Sequence, residues 1–227
     1  LFYDSSNKVF SLNNNNVVHN DYSLTIGSNA GSGKGYVFIE NTTNNVRIGK
    51  SSTGTLAETG SAISNTIIGT QAAQSITDGA SNTIVGFNAL ATATVQTGNT
   101  IVGVGAMSSG YGGQDVAIGK DALKFGANTN SNPNIDDATN RVAIGNNALA
   151  GESTTLQIGE EIVAIGTSAG QYTSSTAAGG GVFLGSFAGQ HTSNNQTKNG
   201  INQIAIGRRA MQYFTSSESV AIGAYSM

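Results

Sequence analysis

Few side chains in this sequence have the types and spacing that catalysis needs. Two carboxylate pairs, Asp136-Asp137 and Glu160-Glu161, are the candidates for acid–base chemistry on a sugar. Neighbouring residues of an extended chain point to opposite sides, whereas glycoside hydrolysis needs two carboxylates that face one sugar. We therefore interpret both pairs as solvated loop charges and predict that the protein has no catalytic residue and is not an enzyme.

Metal and nucleotide motifs are also incomplete. His19 and His191 have no second histidine at a zinc-site spacing. Aspartate recurs at no repeat position, although a calcium-binding β-roll requires it there. The run Gly103-Val104-Gly105 lacks the strand-to-helix context of a dinucleotide-binding loop. The sequence thus predicts no metal ion and no cofactor.

One octet is repeated along the chain and would form the elements that position the loops. Its pattern is polar–(Val/Ile/Thr)–apolar–(Ile/Val/Leu)–Gly–x–x–Ala. The segment 65–72 is a representative copy, and two weaker copies lie upstream around Gly27 and Gly49. Successive glycines are 16 to 26 residues apart, so the octet is fixed while the connecting segments vary in length. Self-similarity of this kind predicts a solenoid, in which each unit packs on its neighbours. The nine scaffold glycines of the full copies are Gly69, Gly86, Gly103, Gly119, Gly145, Gly166, Gly185, Gly207 and Gly223.

Each predicted strand of the octet is apolar on both faces. Side chains alternate along a strand, so we expect the first and third residues before the glycine, such as Ile68 and Thr66, to fill the inside of the roll. The residue between them, such as Ile67, should point outward. Five of the nine residues at that position are alanine, which suggests close approach of other chains and predicts an elongated homotrimer. The glycine should permit a sharp turn where a Cβ would clash or φ is positive.

The chain divides into a lead-in and a repeat domain. Residues 1–50 are predicted to contain two weak repeats and two β-hairpins, one formed by residues 1–3 with 9–12 and one by residues 36–39 with 46–48. Residues 51–227 form the solenoid with loop insertions, which often carry the binding surface of such proteins. The candidate receptor contacts in these insertions are Tyr111, Phe125, Tyr172, His191 and Tyr213.

Two polar rows run through the early octets. Asn65, Asn82 and Asn99 occupy one position and predict a hydrogen-bonded amide ladder that ends at Asp115. Threonine fills the next position in the same three copies, as on the flat faces of ice-binding solenoids, but valine replaces it from Val116 onward. Ice binding is therefore a minor alternative.

Composition and charge exclude several classes of function. The net charge is −3, and no basic cluster is present that would bind nucleic acid or an anionic membrane. No apolar run approaches the length of a membrane span, and there is no cysteine for disulfides or thiolate metal sites. The chain begins at Leu1 without a signal peptide, so we interpret it as a piece of a longer protein.

The octets at residues 65–73, 82–90 and 142–149 resemble the NTAIGxxAL repeats of tail fibres from tailed phages and marine viruses. They are also similar to the SVAIG repeats in the heads of trimeric autotransporter adhesins. The resemblance covers residues 24–227 and implies an all-β, left-handed parallel β-solenoid, or β-roll, assembled as a trimer. Eleven copies of the octet predict about eleven rungs of variable length. Adhesin heads keep short regular rungs, so the variable spacing favours the tail fibres.

The function that this resemblance implies is structural and adhesive. The chain would be a segment of a virion tail fibre that projects or presents a surface for a glycan or protein of the host cell, without binding nucleic acid or inserting into the membrane. The alternative is the head of a trimeric adhesin on a bacterial cell surface. A tailspike depolymerase is the third hypothesis, and it lacks the facing carboxylates that such an enzyme needs.

Overall fold

The computed structural model describes residues 2–4, 9–11, 26–27, 35–39, 44–50, 62–109, 112–124, 140–151, 161–172, 180–190, 202–213 and 218–226. Every regular element within these ranges is a β-strand, which confirms the all-β class. The strands are β1 (Phe2–Asp4), β2 (Val9–Ser11), β3 (Ile26–Gly27), β4 (Gly35–Ile39), β5 (Val46–Lys50), β6 (Thr66–Ile68), β7 (Thr83–Val85), β8 (Thr100–Val102), β9 (Val116–Ile118), β10 (Val142–Ile144), β11 (Ile162–Ile165), β12 (Gly181–Leu184), β13 (Gln203–Ile206) and β14 (Val220–Ile222).

The strands of the lead-in pair antiparallel. β1 pairs with β2 in a separate two-stranded sheet, and β4 pairs with β5, so both predicted hairpins are confirmed. β3 is also antiparallel to β4, and the weak copy around Gly27 therefore joins the sheet as an antiparallel strand. The pairing changes at β5, because its other edge is parallel to β6. The division of the chain at residue 50 stays a prediction.

Parallel pairing then continues from β5 to β14. Each strand pairs with the next in one 12-stranded sheet, and equivalent octet residues are always opposite each other, as Ile67 is to Ile84. Val116 pairs with Val142 although a long insertion separates them in the chain. The chain is thus a parallel β-solenoid, as predicted, and the octets set its register whatever the length of the connecting segments.

The core is narrow and is filled from three octet positions. The inner column, which we define as the second residue before each of the nine repeat glycines, is buried throughout. The third residue after the glycine is fully buried wherever it is the predicted alanine, as at Ala72. The fourth residue after the glycine, such as Leu123, completes the core. The inner column consists of Ile67, Ile84, Ile101, Ala117, Ala143, Ala164, Phe183, Ala205 and Ala221.

The predicted orientation of the strands was wrong. Thr66 and Ile68, which were expected inside, lie on the outer side, while Ile67 between them points into the core. Alternation defines two faces but not which one turns inward, and here both faces are apolar. The alanines of the inner column lie in the narrow core, between the residues of neighbouring turns. These alanines do not mark the approach of another chain.

Large and small side chains compensate within one turn of the solenoid. Ala117 is combined with Leu123, whereas Phe183 is combined with Gly189. A Cβ on Gly189 would lie 2.2 Å from Cδ1 of Phe183, so the ring occupies the space that leucine fills elsewhere. Such compensation fits alanine and phenylalanine into the same column in these two turns, whereas another turn combines two large residues, Ile84 and Leu90.

The repeat glycines are required by backbone angle, and all of them except Gly223 are also required by space. Gly69 has a φ of 138°, and a Cβ there would lie 2.3 Å from the carbonyl oxygen of Gly86 in the next turn. The φ angles of the other repeat glycines lie between 121° and 146°. A side chain at any of these positions would be strained, and at all of them except Gly223 its Cβ would also clash with the backbone of the next turn.

Asparagine side chains link successive turns through the fourth residue before the glycine. Oδ1 of Asn65 accepts hydrogen bonds from the backbone N–H of Asn82 at 3.0 Å and from its Nδ2 at 2.9 Å. Oδ1 of Asn82 accepts the equivalent bonds from Asn99 at 3.0 and 3.1 Å. The predicted amide ladder is confirmed, and it begins one copy earlier, because Oδ1 of Asn45 accepts from the backbone N–H of Asn65.

The ladder continues one turn beyond Asp115, where the sequence predicted its end. Oδ1 of Asp115 accepts from the backbone N–H of Arg141 at 2.9 Å, as an asparagine would, and from its Nε at 3.0 Å. Oδ2 accepts a further bond from Nη2 of Arg141. Both side chains are almost completely buried. A bidentate ion pair therefore replaces the amide pair at this turn.

Two further polar features were not predicted from the sequence. Arg47 takes the octet position of the inner column in β5, and its Nη2 donates to the carbonyl of Ala72 at 2.9 Å, so a guanidinium covers the first end of the core. At the other end, Nε2 of Gln190 donates to Oε1 of Gln171 at 2.9 Å, and Nε2 of Gln212 donates to Oε1 of Gln190 at 2.8 Å. These three glutamines form a ladder that links the turns following β11, β12 and β13.

Candidate functional site

The outer face of the parallel strands is aliphatic and uncovered by other described residues. We call it the aliphatic face and define it as the first and third residues before each glycine from β5 to β14. Ile165 and Ile222 on this face are 40% and 69% exposed. Nine strand spacings of ~4.8 Å make it roughly 43 Å long. Its members are Val46, Ile48, Thr66, Ile68, Thr83, Val85, Thr100, Val102, Val116, Ile118, Val142, Ile144, Val163, Ile165, Val182, Leu184, Ile204, Ile206, Val220 and Ile222.

No charged residue interrupts the aliphatic face, and its only hydroxyls are in β6 to β8. Thr66, Thr83 and Thr100 are opposite one another in the register, and Val116 follows them, so the threonine row has its predicted extent. Three hydroxyls on a face of twenty residues leave it predominantly apolar. Large exposed apolar surfaces are typical of contacts with another macromolecule.

The structure describes two of the five predicted receptor contacts and does not place them in one site. Tyr213 is 56% exposed at the end of the turn that follows β13. Tyr172 is half-buried at the end of the turn that follows β11. Tyr111, Phe125 and His191 lie outside the described residues.

The residues considered for catalysis and metal binding are mostly outside the described ranges, as Asp136, Asp137, Glu160 and His19 are. Glu161 is exposed immediately before β11. Within the described part of the chain, no three His, Cys, Asp or Glu side chains are grouped so that they could hold a metal ion. None of its elements is a helix of the length and hydropathy needed to cross a membrane. The absence of enzymatic activity stays a prediction.

A second surface feature lies on the turns that follow β12, β13 and β14. The guanidinium carbon of Arg209 is 5.6 Å from the ring centroid of Phe187 and 5.6 Å from that of Tyr225. The guanidinium carbon of Arg208 is 5.4 Å from the same Tyr225 centroid. These are cation–π distances, and we call Phe187, Arg208, Arg209 and Tyr225 the arginine–aromatic cluster.

The positive charge of this cluster is not neutralised by a carboxylate among the described residues. Neither Arg208 nor Arg209 takes part in an ion pair there, and Nε of Arg209 is buried without a hydrogen-bond partner. Arg208 is exposed, and Tyr225 is 57% exposed. The sequence did not predict this cluster, because binding residues were expected only in the insertions between octets. Alignment of the last three octets on their glycines would have revealed it, since Phe187, Arg209 and Tyr225 each follow a glycine by two residues.

Comparisons with known proteins identify no relative of this chain. No protein-family model matches it, and searches of curated proteins and of solved structures return no match. The function must therefore be inferred from the two surfaces described above and from the resemblance of the octets.

Proposed function

We propose that this chain is a structural and adhesive segment of a virion tail fibre, in which three copies of a left-handed β-solenoid form an elongated homotrimer. The trimer projects or presents a surface that binds a glycan or protein on the host cell. The observation that carries this proposal is the aliphatic face, which is continuous and uncharged and whose residues are exposed or half-buried in the single chain.

An identical chain is the occupant that best fits the aliphatic face. A small polar ligand would find no charged group there, whereas a second solenoid has the same repeat along its own strands. A strip roughly 43 Å long and about 10 Å wide presents on the order of 400 Å², about half of one partner's share of a standard interface. Neighbouring exposed side chains such as Phe87 and Val104 can enlarge the contact.

The choice of three copies is supported by the resemblance and not by the alanines of the octet. Those alanines were expected at the trimer axis, but they lie in the core. The axis must instead be lined by the aliphatic face. The spacing of 16 to 26 residues between glycines favours a tail fibre over an adhesin head, because adhesin heads keep regular rungs.

The oligomeric state can be tested by size-exclusion chromatography with multi-angle light scattering. We expect three times the 23.0 kDa mass of one chain at micromolar concentration. Ile165→Asp places a charge on the aliphatic face and should release monomers. Val95→Asp makes the same change at an exposed position between β7 and β8, away from the aliphatic face, and should leave the trimer intact. A monodisperse wild-type monomer would refute the assembly.

The location of the protein requires a separate experiment. Gold-labelled antibodies against the trimer should mark the tail fibres of virions in electron micrographs. Labelling of a bacterial surface without virions would instead favour the adhesin head. Adhesion of the purified trimer to host cells then tests the binding role, and a trimer that labels fibres without binding cells would be a spacer.

A further inference from the structure

We propose that the arginine–aromatic cluster binds an acidic saccharide, that is, a sugar ring that carries a carboxylate. This inference rests on the proposed role in host attachment, because it names the ligand class of one presented surface. Nothing in the octet itself requires two adjacent arginines at these positions, since other turns have residues such as Lys120-Asp121 or Asn146-Asn147 there.

The cluster combines the two groups that acidic sugars require. The hydroxyl of Tyr225 can bond to a sugar's own hydroxyls, and the exposed part of its ring can contact the apolar face of the sugar. A planar guanidinium binds a carboxylate through two parallel hydrogen bonds. Arg208 and Arg209 both lie over the Tyr225 ring, so the two guanidinium groups that would bind the anion adjoin this tyrosine.

The cluster is also organised before any ligand binds. Arg209 is held between the rings of Phe187 and Tyr225, and the rings and the guanidinium come from three successive turns whose strands are in register. This stacking fixes the plane of the guanidinium, so less conformational freedom is lost on binding. Arg208 is exposed and can approach the same anion from solvent.

The distribution of charge along the chain favours an anion at this end. Of the 13 acidic residues, Glu218 alone follows residue 161, whereas three basic residues do. The last turns are therefore locally positive in a chain whose net charge is −3. Such a field raises the local concentration of anionic ligands. Three cations are too few for a track of nucleic-acid phosphates, so a single sugar carboxylate is the better match.

Glycan binding by the trimer tests this inference directly. Isothermal titration would compare hexuronic acid oligosaccharides with neutral hexose oligosaccharides of the same linkage and with inorganic polyphosphate. We expect binding of the hexuronate, with affinity for the neutral sugar at least about tenfold lower, because a charge-assisted hydrogen bond is lost. Arg208→Gln and Tyr225→Leu should each weaken hexuronate binding by about tenfold. Lys120→Gln, at the same octet position after β9, should leave it unchanged.

Several outcomes would overturn the inference. They are equal affinity for acidic and neutral sugars, polyphosphate binding as tight as hexuronate binding, or an equal loss with Lys120→Gln. Light scattering and virion labelling on the same preparations separate the two proposals. A trimer that labels fibres but ignores hexuronates refutes only the ligand class, whereas a monomer refutes the proposed assembly.

Discussion

The inner column and the aliphatic face have similar side chains but opposite environments. Ala143 and Ile144 are adjacent in β10, yet Ala143 is fully buried while Ile144 lies on the outer face. The inner column is enclosed by the turn that follows each glycine, and the outer face is enclosed by nothing in the described chain. Hydrophobicity therefore marks two different kinds of contact here, one made by the chain itself and one available to a partner.

Introducing an aspartate at each of these two neighbouring residues should give the largest difference in effect on folding and assembly. Ala143→Asp would bury a carboxylate in a core where the nearby buried cation, Arg141, is already paired with Asp115, which costs several kcal/mol and should prevent folding. Ile144→Asp should leave a folded solenoid, because its carboxylate can reach water, but should abolish association. Circular dichroism reports the fold and light scattering the assembly. A folded trimer with Ala143→Asp would show that Ala143 does not lie in the core.

The next largest loss of stability is expected for substitutions in the buried polar ladder of Asn65, Asn82, Asn99 and Asp115, because its side chains are enclosed like the inner column. Asp115→Asn keeps an amide for the ladder but deprives Arg141 of its carboxylate, and we expect a loss of about 3–5 kcal/mol in the free energy of unfolding. Urea denaturation would measure it. Adding Arg141→Asn extends the asparagine ladder by one turn and should restore stability to within about 1 kcal/mol. A double variant as unstable as the single one would mean that the ion pair does not replace an amide step.

The glutamine ladder lies at the boundary between core and solvent, so its contribution should be smaller. Gln190→Ala removes one donated and one accepted amide bond, both partly exposed, and should cost about 1–2 kcal/mol in total. Asn146→Ala, which changes an exposed amide in a turn, is the matched control and should change stability by less than about 0.5 kcal/mol. Equal melting temperatures for the two variants would show that the ladder is dispensable.

Strand positions, parallel register and glycine function could be predicted because they depend on residues within one octet. The inward face could not, since alternation treats both faces alike and the turn decides between them. That turn places Asn88 and Leu90 at φ of 55° and 49°, and a left-handed leucine is not signalled by its residue type. Likewise, Asp115 in place of an asparagine looked like the end of a ladder that it in fact extends to Arg141.

The candidate binding surfaces, too, could be predicted only in part from the sequence. Tyr213 was predicted as a receptor contact because insertions in solenoids often carry binding residues, and that role stays a prediction. Arg208 and Arg209 were missed because they lie within the octet's own turn, where scaffold residues were expected. Only the stacking of successive turns brings Phe187 and Tyr225 to either side of Arg209, and the variable spacing of the octets conceals that contact in the linear sequence.

The smallest effect on the fold is expected for the side chains that extend furthest from it. Tyr213→Ala removes a 56% exposed ring, so the free energy of unfolding should change by no more than about 0.5 kcal/mol. Its effect on adhesion can nevertheless be large, because an exposed tyrosine offers stacking area at little entropic cost. Tyr172→Ala is the comparison, since that ring is half-buried and its loss should affect packing first.

Adhesion to host cells should fall more with Tyr213→Ala than with Tyr172→Ala when both variants remain trimeric. Unchanged adhesion with Tyr213→Ala would restrict host contact to other surfaces, and parallel losses of stability and adhesion would show that the ring supports the scaffold.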